Sequence, residues 1–174
     1  DKTIARVKAD ERFAELLEEH VDYANLIAAA QALARLANGA WLKQLPVAFH
    51  QALPPAKVPS GVTGDILYAE ETPYGLILVG GTGPNTYELD GRFGLVIDLG
   101  GDDLYRGMIA ASTDADHGNA VVIDLSGNDA YDGSMLGLAT GRLGVGLLID
   151  QSGNDVYQLD MGSGGAGFGG LGIL

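Results

Sequence analysis

One unit is written three times in this chain, and its spacing restricts the fold more than any other feature does. Gly94 to Gly107 reads G-L-V-I-D-L-G-G-D-D-L-Y-R-G, Ala120 to Gly133 reads A-V-V-I-D-L-S-G-N-D-A-Y-D-G, and Gly146 to Leu159 reads G-L-L-I-D-Q-S-G-N-D-V-Y-Q-L. Asp98, Asp124 and Asp150 stand 26 residues apart, as do Asp103, Asp129 and Asp155, and Tyr105, Tyr131 and Tyr157. A fixed period without insertions is what stacked structural repeats require. It predicts one coil of chain per period and a mainly β fold: a right-handed parallel β-solenoid of 26-residue coils.

Within each copy, the run L-V-I, V-V-I or L-L-I reads as a strand buried by stacking. The glycine-rich remainders, Gly133 to Gly146 and Leu159 to Gly172, suit short strands and sharp corners rather than helix. Upstream, Asp65 to Glu70, the Thr72-Pro73-Tyr74-Gly75 turn and the apolar run Gly75 to Val79 read as strand, turn, strand. Thr86-Tyr87 then follows a turn much as each repeat turn is followed by x-Tyr, so Gly75 to Asp90 reads as a degenerate first coil without the aspartates.

Residues 1–53 carry helical signals and are expected to form an α-helical cap over the start of the stack, where an unpaired strand edge would otherwise lie open. Ile4, Val7, Phe13, Leu16, Leu17 and Val21 fall near one face of a 3.6-residue period. Asp22 is a predicted N-cap for a second helix, striped by Tyr23, Ile27, Ala30, Leu33, Ala34 and Ala37 and ended by Asn38-Gly39. A third helix over Ala40 to Gln51 must be kinked or split at Pro46. Residues 54–64, with Pro54-Pro55 and Pro59-Ser60-Gly61, read as a linker, and residues 65–174 as the repeats. His20 and His50 have no second ligand at helical or hairpin spacing and read as ordinary surface or interface histidines.

The charge is lopsided. The net charge is −13, yet Asp1 to Ser60 holds seven acids and seven bases, leaving sixteen acids against Arg92, Arg106 and Arg142 in the remainder. Such a surface repels nucleic acid and anionic membrane and attracts cations. The chain has no cysteine, which removes disulfides, thiolate zinc sites and a cysteine nucleophile. No apolar run approaches the ~20 residues of a membrane span. A start at Asp1 without methionine predicts a mature, cleaved or trimmed product.

Two glycine motifs lead nowhere. Gly80 to Asn85, G-G-T-G-P-N, lacks the Gly-Lys-Ser/Thr ending of a phosphate-binding loop. Gly162 to Gly167, G-S-G-G-A-G, matches G-x-G-x-x-G in letters, but no helix follows and no βαβ unit surrounds it.

The aspartates carry the chemistry. In parallel stacking at ~4.8 Å each lies above its counterpart, and at an effective dielectric of ~20 two carboxylates at that spacing repel by roughly 3.5 kcal/mol. Protons, hydrogen bonds or cations must compensate, and a hard divalent cation with oxygen ligands does so. Turn capping by Asp and Asn needs no metal and is the structural alternative. The metal-ligand candidates are Asp98, Asp102, Asp103, Asp124, Asn128, Asp129, Asp150, Asn154 and Asp155.

Gly101-Asp102-Asp103-Leu104-Tyr105, Gly127-Asn128-Asp129-Ala130-Tyr131 and Gly153-Asn154-Asp155-Val156-Tyr157 resemble the second half of the calcium-binding nonapeptide of hemolysin-type (RTX) β-rolls, G-G-x-G-x-D-x-U-x. The resemblance implies Ca2+ bound by Asp103, Asp129, Asp155 and turn carbonyls, with the three tyrosines in the core. Here the period is 26 rather than 9, and Asp98, Asp124 and Asp150 replace the first glycine. Asp124, Ser126 and Asn128, and likewise Asp150, Ser152 and Asn154, also echo the first ligands of a D-x-D-x-D calcium loop. Met135 and Met161 stand where an EF-hand needs glutamate, which excludes that motif. The longer pattern resembles bacterial Gly-Asp repeat proteins over the last two-thirds of the chain, and implies relatives with more coils.

The functional expectation is a calcium-binding repeat module with a structural or interaction role outside the cytoplasm, extracytoplasmic or secreted in a bacterium. Two enzymatic alternatives stand beside it. Asp114, Asp116 and His117, in S-T-D-A-D-H, interrupt the repeat with groups able to act as acid, base or metal ligand. An acidic cleft on a β-helix would suit a polysaccharide-active enzyme, with carbohydrate as its ligand. An internally cleaved hydrolase is the other alternative. Gly172-Ile173-Leu174 aligns with Gly146-Leu147-Leu148, inside a strand, so the Phe168 to Leu174 edge is expected to meet further protein: a continuation chain or a homo-oligomer partner.

Overall fold

The computed structural model describes residues 11–12, 14–15, 17–49, 57–114 and 117–174. Its β part begins with β1 (Val62–Thr63), β2 (Ile66–Thr72), β3 (Gly75–Gly80) and β4 (Thr86–Leu89), and continues with β5 (Phe93–Asp98) and β6 (Leu104–Ile109). The second copy of the unit supplies β7 (Asn119–Asp124), β8 (Ala130–Leu138) and β9 (Gly141–Arg142). The third supplies β10 (Val145–Asp150) and β11 (Val156–Gln158), followed by β12 (Gly167–Phe168) and β13 (Leu171–Ile173). A six-stranded sheet runs β13-β10-β7-β5-β3-β2, a five-stranded sheet runs β1-β4-β6-β8-β11, and β12 pairs with β9.

The repeated unit stacks in register. Ile97 lies beside Ile123 and Asp98 beside Asp124, Ile149 beside Ile123 and Asp150 beside Asp124, all in parallel pairs. In the five-stranded sheet Tyr87, Tyr105, Tyr131 and Tyr157 form one row. The reading of Thr86-Tyr87 as a degenerate first copy agrees with this, since β4 pairs with β6 in that register.

Alternation across the six-stranded sheet explains why its strands are apolar throughout. Leu78, Val96, Val122 and Leu148 face inward, where they pack with Tyr87, Tyr105, Tyr131 and Leu138 of the other sheet. Val79, Ile97, Val121, Ile123 and Leu147 face outward and pack with Leu42 and Leu45 of the helices. A strand buried on both faces needs apolar residues at every position. The aspartate that ends each strand lies two residues beyond an inward residue, so period-2 geometry turns it into the space between the sheets.

The helices follow the local signals. Asp22 caps α1 (Tyr23–Ala34), accepting the Asn25 N–H at 3.1 Å. A 3-10 turn (Arg35–Ala37) follows, and Asn38 then caps α2 (Gly39–Leu42) through Ala40 N and Trp41 N. The expected third helix is split, with Pro46 near the start of α3 (Leu45–Ala48), where its missing N–H costs nothing. His20 is exposed, while Ile4, Val7, Phe13, Leu16 and His50 lie outside the described residues.

The architecture corrects the expected fold class. The chain is a mixed α/β structure with two multi-strand sheets of mixed parallel and antiparallel order, not a regular parallel β-solenoid. Three physical causes stand out. The Thr72–Gly75 turn closes a hairpin, with Thr72 Oγ1 donating to Gly75 O at 2.7 Å, so β2 runs antiparallel to β3. β1 likewise runs antiparallel to β4. The first unit is shorter, offset by 18 residues rather than 26, as the Asn85–Asp103 pair shows, and β3 shifts register against β5 near Leu76. The described helices lie along the outer face of the six-stranded sheet, α1 against β10 and β13, in one cluster that also takes in Leu67, Tyr68 and Val79 of the first strands. The antiparallel strands β1 and β2 form the edges of the two sheets at the start of the stack.

Candidate metal centre

Each of the three repeated turns, between β5 and β6, β7 and β8, and β10 and β11, carries two aspartates and is followed by a tyrosine. The first aspartate ends the strand, the second sits in the G-x-D-x-Y turn, and the tyrosine enters the interior from the opposite sheet. Asp98 and Asp124 are fully buried, Asp103 and Asp129 nearly so.

Hydrogen bonds organise these groups into three ladders. In the first, a turn N–H donates to the carboxylate one rung on: Asn85 N to Asp103 Oδ1 at 2.6 Å, Asp103 N to Asp129 Oδ1 at 2.7 Å, and Asp129 N to Asp155 Oδ1 at 2.9 Å. In the second, Tyr87 donates to Asp98 Oδ2 and Tyr105 to Asp124 Oδ2, the latter at 2.6 Å, whereas Tyr157 donates to Asp150 Oδ2 of its own rung. The tyrosine rings stack with centroids 4.7 to 4.8 Å apart. In the third, on the exposed side, Asp102 Oδ1 accepts Asn128 N at 2.9 Å, and Asn128 Oδ1 accepts Asn154 N at 3.1 Å.

Two groups of three aspartates result. Asp98, Asp103 and Asp124 bring one carboxylate oxygen each to within 4.8 Å of the others, and so do Asp129, Asp150 and Asp155. Either group could hold a metal ion. Within them, Asp103 Oδ2, Asp129 Oδ2 and Asp150 Oδ1 are buried without a hydrogen-bond partner. A buried carboxylate oxygen left unpaired is costly, and a cation is one of the few groups able to satisfy several at once.

The electrostatics agree with the geometry. Burial, then the neighbouring Asp98 charge, pushes Asp103 up to about 8. Burial pushes Asp124 up to about 8 against the lowering effect of the Tyr105 hydroxyl, with Asp129, Asp98 and Asp150 adding to the rise. Asp129 is raised to about 6 by burial and then by Asp155 and Asp150. Asp98 and Asp150 are also raised, first by burial. Without a cation, Asp103 and Asp124 hold protons near neutral pH.

Of the sequence candidates, Asp98, Asp103, Asp124, Asp129, Asp150 and Asp155 converge in the two groups. Asp102, Asn128 and Asn154 form the separate outer ladder. Asp114 and His117 lie on an exposed loop, where Asp114 Oδ1 accepts His117 N at 2.8 Å and stands 3.1 Å from His117 Nδ1. Asp116 lies outside the described residues.

Sequence reasoning missed Asn85 and the tyrosine hydroxyls. Asn85 takes the ladder position of Asp103 in the first rung, and its Nδ2 donates to Asp98 Oδ2 at 2.9 Å. Aligning G-P-N-T-Y with G-D-D-L-Y carries that signal. The turn glycines have a further cause: a Cβ on Gly127 would overlap the Gly101 carbonyl oxygen, and one on Gly153 the Gly127 carbonyl.

Fold and site together define a mixed α/β repeat protein with two buried acidic groups able to hold a metal ion. No family model, curated protein or solved structure matches the chain.

Proposed function

We propose that the chain is a calcium-binding repeat module with a structural or interaction role outside the cytoplasm. The observation that carries this reading is the pair of unpartnered buried oxygens, Asp103 Oδ2 and Asp129 Oδ2, one in each three-aspartate group. Hard carboxylate oxygens drawn from several turns suit Ca2+ better than Mg2+, which demands a tighter octahedron and gives up its waters reluctantly. Sites with few charged ligands bind calcium at ~10⁻⁴–10⁻³ M, the range of extracellular modules. That range suits an extracytoplasmic or secreted protein. The likeness to hemolysin-type repeats points the same way.

The enzymatic readings draw less support. Asp114 and His117 pair with each other on an exposed loop, and neither belongs to the two three-aspartate groups. No helix among the described residues is long and apolar enough to cross a membrane.

Melting the chelator-stripped chain, followed by circular dichroism, tests the reading. Millimolar calcium is expected to raise the melting temperature by several degrees, and magnesium by less. Equal melting temperatures in calcium and in chelator would reduce the aspartates to structural turn residues.

A further inference from the structure

The file of aspartates begins one rung later than the stack does, and Asn85 stands where it is interrupted. The first three-aspartate group takes the strand and turn aspartates of one rung, Asp98 and Asp103, and the strand aspartate of the next, Asp124. The same register continues one rung back: Gly80 pairs with Asp98 as Asp98 pairs with Asp124, and Thr86 pairs with Leu104. The equivalent positions there are Gly80, Asn85 and Asp98. Gly80 has no room for an aspartate, because a Cβ at that place would meet the Tyr87 hydroxyl and Asp98 Oδ2.

Asn85 is buried and bonded at both ends of its amide. The Asp65 N–H donates to Oδ1 at 2.6 Å. A backbone N–H can only donate, so this bond fixes the amide oxygen on that side and turns Nδ2 toward Asp98 Oδ2, at 2.9 Å. One rung on, Asp103 also accepts a backbone N–H with Oδ1, that of Asn85 itself, but its other terminal atom is Oδ2, buried and unpartnered. The two residues keep the same backbone bond and differ at one atom: a donor on Asn85 where Asp103 offers a charge-bearing oxygen.

On the calcium reading of the aspartates, on which this rests, we propose that the Asn85 amide takes the place of a cation at the first rung and so determines where the file of cation sites begins. Its N–H gives Asp98 Oδ2 the positive partner that Ca2+ gives the oxygens of the next group, without adding a charge. A carboxylate in its place would set two acids face to face across that gap, and a hard cation with oxygen ligands would then be needed to join them. Asn85 is thus a residue that sets the position and number of cation sites, not itself a ligand.

Melting of Asn85→Asp and Asn85→Ala beside the unaltered chain, each in excess chelator and in millimolar calcium, tests this. In chelator both variants are expected to melt several degrees lower than the unaltered chain. Calcium is expected to raise the melting temperature of Asn85→Asp by at least ~4 °C more than that of the unaltered chain. Asn85→Ala is expected to gain no more than the unaltered chain, because alanine brings no oxygen. Should Asn85→Asp be unfolded in chelator, its folding on addition of calcium, followed by circular dichroism, would be the same result in stronger form. An Asn85→Asp chain that stays unfolded in calcium, or gains no more from it than the unaltered chain or than Asn85→Ala, would overturn the inference and leave the calcium reading standing. An unaltered chain that does not respond to calcium would remove that reading, and the role of Asn85 with it.

Discussion

Asp129 reaches across one full rung to accept the backbone N–H of Asp103 at 2.7 Å with Oδ1, while its Oδ2 stays buried without a partner. One carboxylate therefore has two duties. It closes a turn by accepting that N–H, and it presents a carboxylate oxygen to Asp150 and Asp155.

Asp129→Ala should remove both duties. In calcium it is expected to cost about 1–3 kcal/mol, the price of a buried donor left unpaired. Asp132, exposed and placed between Arg106 and Gln158 in register, belongs to neither ladder. Asp132→Ala is expected to change stability by no more than ~0.5 kcal/mol. Denaturant melts of the two variants compare them directly, and equal losses would remove the ladder argument.

Gly127→Ala should destabilise the chain because the added methyl meets the Gly101 carbonyl, a backbone atom of the neighbouring rung that cannot swing aside. Overpacking of this kind costs at least ~1–3 kcal/mol. Gly39 has nothing near its Cβ position and stands in α2, so Gly39→Ala is expected to be neutral or stabilising by up to ~1 kcal/mol. Thermal melts of the pair would show whether stacking, rather than glycine content, constrains the turn.

Much of this was legible in the residues. The constant spacing of Asp98, Asp124 and Asp150 predicts the in-register stack, and the pairings agree. The two-aspartate turn predicts the clusters. The global class did not follow, because a period reports what repeats and is silent on what precedes it. Thr72-Pro73-Tyr74-Gly75 was readable as a turn, yet nothing local says that β2 folds back antiparallel to β3. The helical stripe of α1 likewise announces an apolar face without naming its target, and the outward row Val121, Ile123, Leu147 packs in one cluster with the helices. Those outward residues were the available signal: strands apolar at every position need cover on both faces. The tyrosine-to-aspartate bonds join residues 11 and 19 apart, beyond any turn rule.

Stability without metal should depend on pH in a defined direction. Asp103 and Asp124 are raised to about 8 and Asp129 to about 6, against ordinary values near 4 in the unfolded chain. Between those limits the folded state binds more protons than the unfolded one, so stability falls as pH rises from ~4 to ~8. Below that window both states are protonated, and the penalty disappears. Melting in excess chelator is expected to show a lower melting temperature at pH 8.5 than at pH 5. Calcium, taking the place of the protons, is expected to narrow that difference, most at the higher pH.

Calcium binding measured by isothermal titration into the chelator-stripped chain tests the central claim most directly. Two sites per chain are expected, one for Asp98, Asp103 and Asp124 and one for Asp129, Asp150 and Asp155. Asp124→Asn should remove the first and Asp155→Asn the second, each leaving the other measurable. No binding at millimolar calcium, or binding unchanged when both substitutions are combined, would contradict the account.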